Sequence, residues 1–200
     1  MIIQDCRTAS GHWRKTAQVS GVQMRTKACT VWRDIAKRCQ TGGGMQKKFP
    51  SYVGCSMSAN FQDFQFFANW YTCQIGYGIA TYQIDKDILI EGNKEYHEDK
   101  CVLVPYALNS FLCAADAIRG KYPQGVSLHR VDKFSAHITV DNKAINLGVF
   151  SSVSEAQKVY QTAKEQEARR WYTRLLSGEF IVDPRVTERM RTWTLPKETL

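Results

Sequence analysis

Acidic side chains are concentrated in the middle of this chain, where their type and number suit the binding of a divalent cation. Residues 51–116 contain eight Asp and Glu against three Lys, whereas residues 1–50 contain ten Lys and Arg against two Asp. Basic segments attract a polyanion, but an acidic segment repels it unless a cation neutralises the carboxylates. The charge pattern therefore indicates either a metal site beside a bound polyanion or a solvated acidic surface remote from it.

A segment after residue 121 is predicted to form a small sheet covered by one helix. Residues 134–140 alternate apolar and polar side chains, which is typical of a strand with one buried face. Asp141 and Asn142 form a turn dipeptide, and Ser152 with Glu155 forms a capping box that begins a helix. Further strands are predicted over residues 125–130 and 144–150, and the apolar side of the helix carries Ala156, Val159, Tyr160 and Ala163.

This segment resembles the APETALA-type (ethylene-response-factor) DNA-binding domain, in the version found beside phage and mobile-element endonucleases. The resemblance covers about a fifth of the chain and implies a sheet that lies in the DNA major groove. It rests on Gly125-Val126, residues 134–138, residues 147–150, Glu155-Ala156 and Tyr160.

The family's base-contacting positions fall two residues apart within each strand, so they should share one face of the sheet. The plant domains fill these positions with Arg and Trp, but this chain has mostly small, neutral residues, so relaxed base reading is expected. Arg130, Lys133 and Lys143 are expected to contact phosphates. The alternative is a structural α+β appendage. The matching positions are Ser127, His129, His137, Thr139, Ala144 and Asn146.

The region before the sheet is predicted to begin with helices. Apolar spacing predicts a helix over residues 22–40, residues 47–52 are expected to be extended, and Asn60 with Asp63 is expected to open a second helix. Aromatic side chains at helical spacing favour a core over a base-stacking platform. Those of the second helix are Phe61, Phe64, Phe66, Phe67, Trp70 and Tyr71.

Residues 83–111 follow the order strand, Gly-Asn loop, strand and short helix. This order looks like the ββα-metal motif of HNH endonucleases, in the divergent form seen in phage and intron-encoded enzymes. Residues 50–52 and the aromatic helix also resemble the segment that precedes the motif in those enzymes. A nuclease motif followed by an APETALA-type domain is a known phage architecture.

The resemblance implies that Asp85 and Asn109 hold a divalent cation, Mg²⁺ or Mn²⁺, at the scissile phosphate. Lys86 stands where the family has its catalytic His, and the flanking carboxylates oppose loss of its proton. Lys86 is therefore expected to clamp phosphate, or another group serves as general base; His97 is the nearest candidate in sequence. Asp87 is either a second metal ligand or a hairpin-edge carboxylate.

These predictions describe an α+β protein with a helical N-terminal region, a ββα-metal core and a three-stranded antiparallel sheet with one packing helix. Residues 1–21 are an unassigned basic segment, and residues 22–116 form the nuclease-like region with its core at about 82–113. Residues 121–178 form the DNA-binding domain, whose helix ends near Gly178. Residues 179–200 form a tail without assigned structure.

Composition indicates which partners to expect. No apolar run approaches membrane-spanning length and no secretory signal is recognisable, so no membrane partner is expected. No small-molecule substrate is expected either. The resemblance implies a phage-encoded protein in the cytoplasm of a bacterial host. Seven cysteines without a CxxC pair indicate reduced thiols, with a zinc site of scattered Cys and His as the alternative.

The expected function is that of a metal-dependent endonuclease, of nicking or homing type, acting on double-stranded DNA. One alternative is a DNA-binding protein with a decayed nuclease motif, because the catalytic His is replaced by Lys86. Another is a phage protein-interaction module that blocks a host enzyme.

Overall fold

The computed structural model describes residues 5–113, 121–141 and 143–195, and the chain divides into two compact units. The first unit is Met1–Tyr106 and the second is Ala107–Leu200. Helices and strands occur in both, so the protein belongs to the mixed α+β class. The longest described helix has 24 residues, and none of the described helices is long and apolar enough to cross a membrane.

A hairpin precedes the first helix. Strands β1 (Thr16–Val19) and β2 (Val22–Arg25) pair antiparallel, and their turn places Ser20 and Gly21 at positive φ, 50° and 78°. Helix α1 (Lys27–Cys39) begins after Thr26, whose side chain accepts a hydrogen bond from the Cys29 amide. The prediction of a helix from residue 22 is therefore wrong for its first turn.

Short helices replace the extended connection that the sequence predicted for residues 47–52. Helix α2 covers Gly44–Lys48, and a 3₁₀ turn covers Pro50–Tyr52. The proline begins this turn, where its missing N–H costs no hydrogen bond.

The predicted second helix is two helices. Ser58 caps α3 (Ala59–Gln62) by accepting from the Phe61 amide, and Asp63 caps α4 (Phe64–Thr72) by accepting from the Gln65 amide. The Asp63 backbone is extended, which breaks the helix between them. The prediction of an aromatic core is confirmed by the burial of Phe61, Phe64, Phe67 and Tyr71.

Residues 83–111 contain the two strands and the short helix that the sequence predicts, and a third strand of two residues that it does not. Strand β3 (Ser56–Met57) pairs in parallel with β5 (Glu95–Tyr96), and β4 (Tyr82–Asp85) pairs antiparallel with β6 (Val102–Pro105). Helix α5 (Tyr106–Leu112) begins directly after β6. The boundary between the two units falls after its first residue.

The second unit contains the three-stranded antiparallel sheet β7 (Val126–Arg130), β8 (Lys133–Val140) and β9 (Lys143–Phe150). Helix α6 (Val153–Leu176) packs on one face, where Val126, Ala136, Ile138, Ala156 and Tyr160 form the core. Ser152 caps the helix by accepting from the Glu155 amide, as the capping box predicts. The helix ends before Gly178, at the predicted place.

Part of the predicted unstructured tail is a helix. Helix α7 (Pro184–Arg191) is capped by Asp183, and its side chains Val186 and Met190 are buried. Two apolar residues four positions apart gave too weak a pattern for prediction. Asn142, half of the predicted hairpin dipeptide, lies outside the described residues, and Asp141 has the expected positive φ of 47°.

Candidate nucleic-acid interface and metal site

The strand register places a set of small polar side chains on the sheet face opposite α6. Ser127 lies opposite Ser135, and their hydroxyl oxygens are 2.8 Å apart. His137 lies opposite Asn146, and Thr139 lies opposite Ala144. Directly opposed residues project to the same face, and alternation puts these pairs away from the buried Ala136 and Ile138. We call this surface the outer sheet face: Ser127, Ser135, His137, Thr139, Ala144, Asn146 and Val149.

Two irregularities shape this surface. The register between β8 and β9 shifts after Ala136, so Leu147 has no direct partner and packs into the core instead. The Asn146 side-chain oxygen accepts from the Gly148 amide at 2.9 Å, which bridges the bulge. The second irregularity falls at His129, so the register does not place His129 in line with the other predicted contact residues.

The three strands are free of Asp and Glu and carry Arg130, Lys133 and Lys143. Lys133 donates to the Ser151 hydroxyl at 2.9 Å, and Arg130 is exposed. Lys143 lies opposite Val140, whose side chain packs against the core, so Lys143 leaves the sheet on the helix side. Only part of the basic set therefore borders the outer sheet face.

The acidic residue at the β8–β9 hairpin is neutralised within the unit. Asp141 pairs with Arg170 at 3.1 Å and with Arg174 at 3.5 Å. Arg174 also binds Glu179 and stacks on Trp171. Through these contacts, Arg170 and Arg174 hold the β8–β9 hairpin against α6.

Asp85 ends β4 as a buried carboxylate. Its Oδ1 accepts from the backbone amides of Asp87 at 2.9 Å and Ile88 at 2.7 Å, which fixes the turn after the strand. Burial and the neighbouring charge of Asp87 raise the pKa of Asp85 to about 6, against the opposing effect of the two amides. A cation beside the carboxyl group would offset the free-energy cost of ionising it in this buried position.

Lys86 is also buried, and its ammonium donates to the Asp87 carboxylate at 2.8 Å. Burial disfavours the charged form, but the hydrogen bond and charge of Asp87 outweigh it and raise the pKa of Lys86. Lys86 is therefore held protonated and suits a cationic role. Asp87 serves as its counterion.

The loop after Lys86 is held closed by one amide side chain. Asn93 donates to the backbone oxygens of Lys86 at 2.6 Å and Glu95 at 2.8 Å. His97 follows β5, and its Nδ1 accepts from the Asp99 amide at 3.1 Å. The same nitrogen lies 3.6 Å from the Glu98 carboxylate and 3.7 Å from the Asp99 carboxylate.

The two predicted metal ligands belong to different units. Asp85 lies in the first and Asn109 on α5 in the second. Among the described residues, no three His, Cys, Asp or Glu side chains form a group that could hold a metal ion. The pairing of Asp85 with Asn109 stays a prediction from the resemblance.

The alternation of residues 134–140 already predicts Ser135 on the polar face of the sheet, beside His137 and Thr139. Val149 was not predicted there, because its place on this face follows only once the bulge at Leu147 is known. Val149, like Ala144, is an apolar member of the face.

Comparison with known proteins adds no relative. No family model matches this chain, and neither curated proteins nor solved structures give a match.

Proposed function

We propose that this protein is a metal-dependent DNA endonuclease, of nicking or homing type, that binds duplex DNA through the outer sheet face. The observation that carries the proposal is this face itself. It is polar and borders basic side chains, and its three strands have no carboxylate. Small hydroxyl and amide groups there bind phosphates and base edges with little sequence preference.

The cutting activity is assigned to the segment around Asp85. The order β4, β6 and α5 agrees with a ββα arrangement, and Asp85 ends its first strand. Its Oδ1 is held by the two backbone amides of the turn, which would orient the carboxylate for Mg²⁺ or Mn²⁺. Lys86 would stabilise charge on the phosphate.

Cleavage of supercoiled plasmid in Mg²⁺ or Mn²⁺ tests this function. We expect Asp85→Ala to lower the rate at least about a hundredfold, because loss of the metal removes the main stabilisation of the leaving oxygen. Asp34→Ala is the matched control, since Asp34 is a half-exposed carboxylate on α1 that pairs with Lys37. An intact plasmid with wild-type protein, or equal cutting by Asp85→Ala, would contradict the proposal.

A DNA-binding protein that no longer cuts is the second candidate. It is favoured by the ion pair of Lys86 with Asp87, which puts a protonated amine where the family has its base. Lys86→His separates the two functions in the same plasmid assay. We expect the substitution to lower cleavage if Lys86 works as a cation. A gain of cleavage would identify a decayed site.

A further inference from the structure

The basic N-terminal segment contains a hairpin that the proposed function does not use. Residues 6–33 carry six Lys and Arg and no Asp or Glu. Within them, β1 (Thr16–Val19) and β2 (Val22–Arg25) form a sheet of their own. Among the described residues, neither strand pairs with a third strand. The first unit therefore presents a two-stranded ribbon within a basic segment.

The register of the hairpin separates its side chains by polarity. Thr16 lies opposite Arg25. Gln18 lies opposite Gln23, and the alternation along each strand puts both pairs on one face. The residues of the other face are all apolar: Ala17, Val19, Val22 and Met24. We call the first surface the polar ribbon face: Thr16, Gln18, Gln23 and Arg25.

The polar ribbon face is turned toward solvent. Gln18, Gln23 and Arg25 are exposed, whereas three of the four apolar side chains on the other face are partly buried. Gln23 donates to the Thr16 hydroxyl at 3.1 Å. An amide nitrogen carries two hydrogens, so this bond does not exhaust the donor capacity of Gln23. The face thus presents amide and guanidinium groups to a partner.

Positive charge surrounds the ribbon. Lys15 precedes β1, Arg25 ends β2, and Arg33 follows on α1. Burial raises the pKa of the Cys29 thiol, and the charges of these three residues oppose the shift, against that of Asp5. The three cations therefore all lie near Cys29 and outnumber the carboxylate there. No carboxylate of the described chain forms an ion pair with Arg25 or Arg33, so the ribbon attracts an anionic partner.

The dimensions of the ribbon suit the major groove of duplex DNA. Each strand has four residues. Four residues of a strand span about 13 Å, and two paired strands lie about 5 Å apart. The major groove is about 12 Å wide and admits a two-stranded ribbon. The hairpin can therefore enter the groove with one face against the bases.

The side chains of the polar ribbon face are those that discriminate bases in the major groove. Arginine pairs with O6 and N7 of guanine, and glutamine pairs with N6 and N7 of adenine. The outer sheet face contains neither residue type, which is why relaxed base reading is expected of it. The ribbon supplies the contacts that the outer sheet face lacks.

We propose that the β1–β2 ribbon binds in the major groove of duplex DNA and reads its sequence, with Arg25 on guanine and with Gln18 and Gln23 on adenine. Arg33 contacts a phosphate beside the groove. The inference rests on the proposed function for its partner, duplex DNA, and adds sequence selectivity to it. It needs neither cleavage nor binding by the outer sheet face.

Selection of binding sites from a random duplex library by the full chain tests the proposal. We expect the wild type to enrich a motif that contains guanine and adenine. Arg25→Met should lose the guanine preference and bind the selected duplex about tenfold more weakly, the effect of one bidentate contact. Gln18→Ala should lose the preference for one adenine.

Arg33→Met is the matched control, because it removes the same charge from α1, outside the polar ribbon face. We expect it to weaken the selected duplex and a scrambled duplex equally and to leave the motif unchanged. Arg25, Gln18 and Arg33 are exposed, so the three variants should unfold at the wild-type temperature. That agreement shows that a lost base preference does not come from misfolding.

Three results overturn the proposal. They are enrichment of no motif by the wild type, a motif that survives in both Arg25→Met and Gln18→Ala, and stronger binding of a single strand or of RNA than of duplex DNA. Cleavage is measured separately with plasmid, and the outer sheet face is tested by Thr139→Glu. A motif lost in Arg25→Met beside unchanged binding by Thr139→Glu would count against the outer sheet face alone, so either proposal can fail without the other.

Discussion

Asp85 and Lys86 are neighbours in sequence, but their surroundings disfavour the charged form of Asp85 and favour the charged form of Lys86. Burial and Asp87 raise the pKa of Asp85 to about 6, so the carboxyl group is still mainly ionised at neutral pH and gains from a cation. The bond to Asp87 keeps Lys86 charged despite its burial. The pair therefore suits metal binding and phosphate clamping better than proton abstraction.

The buried side chain of Lys164 leads to a prediction of how the stability of the protein depends on pH. It is buried on α6, donates to the Phe111 carbonyl and lies 4.0 Å from the centre of the Phe111 ring. Burial lowers the pKa of Lys164 to about 8, although Cys113 and Glu167 oppose the shift. In the folded protein the Lys164 ammonium therefore loses its proton at a lower pH than in the unfolded chain. There the pKa of the lysine has its ordinary value near 10.5. Stability should rise with pH between about 8 and 10.5.

Lys164→Met should remove this rise, which amounts to about 3 kcal/mol for the full shift. Chemical unfolding at pH 7.5, 9 and 10.5 — roughly the span of the two pKa values — measures it as the difference between wild type and variant. Lys158→Met, on an exposed position of the same helix, is the control and should leave the pH dependence unchanged. An identical pH profile for wild type and Lys164→Met would refute the assignment.

The sheet shows what sequence alone can predict of an element. Alternation in residues 134–140 identified both faces of β8, and the cap at Ser152 and the glycine at 178 bounded α6. The helix beginning at residue 22 was wrong because four residues of a strand and an apolar helical turn look alike over so short a length. Asp63 was read as part of a helix start, yet its extended backbone separates α3 from α4.

Gly125 gives a prediction for the sheet–helix contact. It has a φ of 75°, and a Cβ there would lie 2.0 Å from the Tyr160 ring in the core. Gly125→Ala must strain the backbone and displace Tyr160, which should cost on the order of 3 kcal/mol in the free energy of unfolding. Denaturant unfolding measures the loss.

Gly178→Ala is the control for backbone strain alone. Its φ is 77°, but a Cβ there meets nothing within 4 Å. We expect a cost of about 1 kcal/mol. Equal losses for the two variants would show that Tyr160 does not require the glycine.

Across the whole molecule, residues that are local in sequence were easier to predict than residues brought together by folding. The outer sheet face could be read from three neighbouring strands, except at its bulges. The cavity lined by Asp5, Trp13 and Tyr77 could not be predicted, because these residues meet only through the fold. The loop that fixes Asp85 depends on backbone amides, which no side-chain pattern reveals.

The positive net charge of the chain, and the lack of acidic residues in the strands of the sheet, lead to a prediction for DNA binding by the outer sheet face. The chain carries a formal charge of +8, and the strands of the sheet contain no acidic residue. Thr139→Glu puts a carboxylate on the outer sheet face. It should weaken duplex binding at least about tenfold, because like charges repel at close range. Thr162→Glu makes the same change at an exposed position of α6 and should weaken duplex binding much less.

Fluorescence anisotropy of a labelled DNA duplex, titrated with wild type and both variants at several salt concentrations, measures whether the outer sheet face binds DNA. We expect wild-type binding to fall steeply with salt, because phosphate contacts release counterions, and Thr139→Glu to lose binding selectively. Binding without salt dependence, or equal binding by Thr139→Glu and Thr162→Glu, would contradict it.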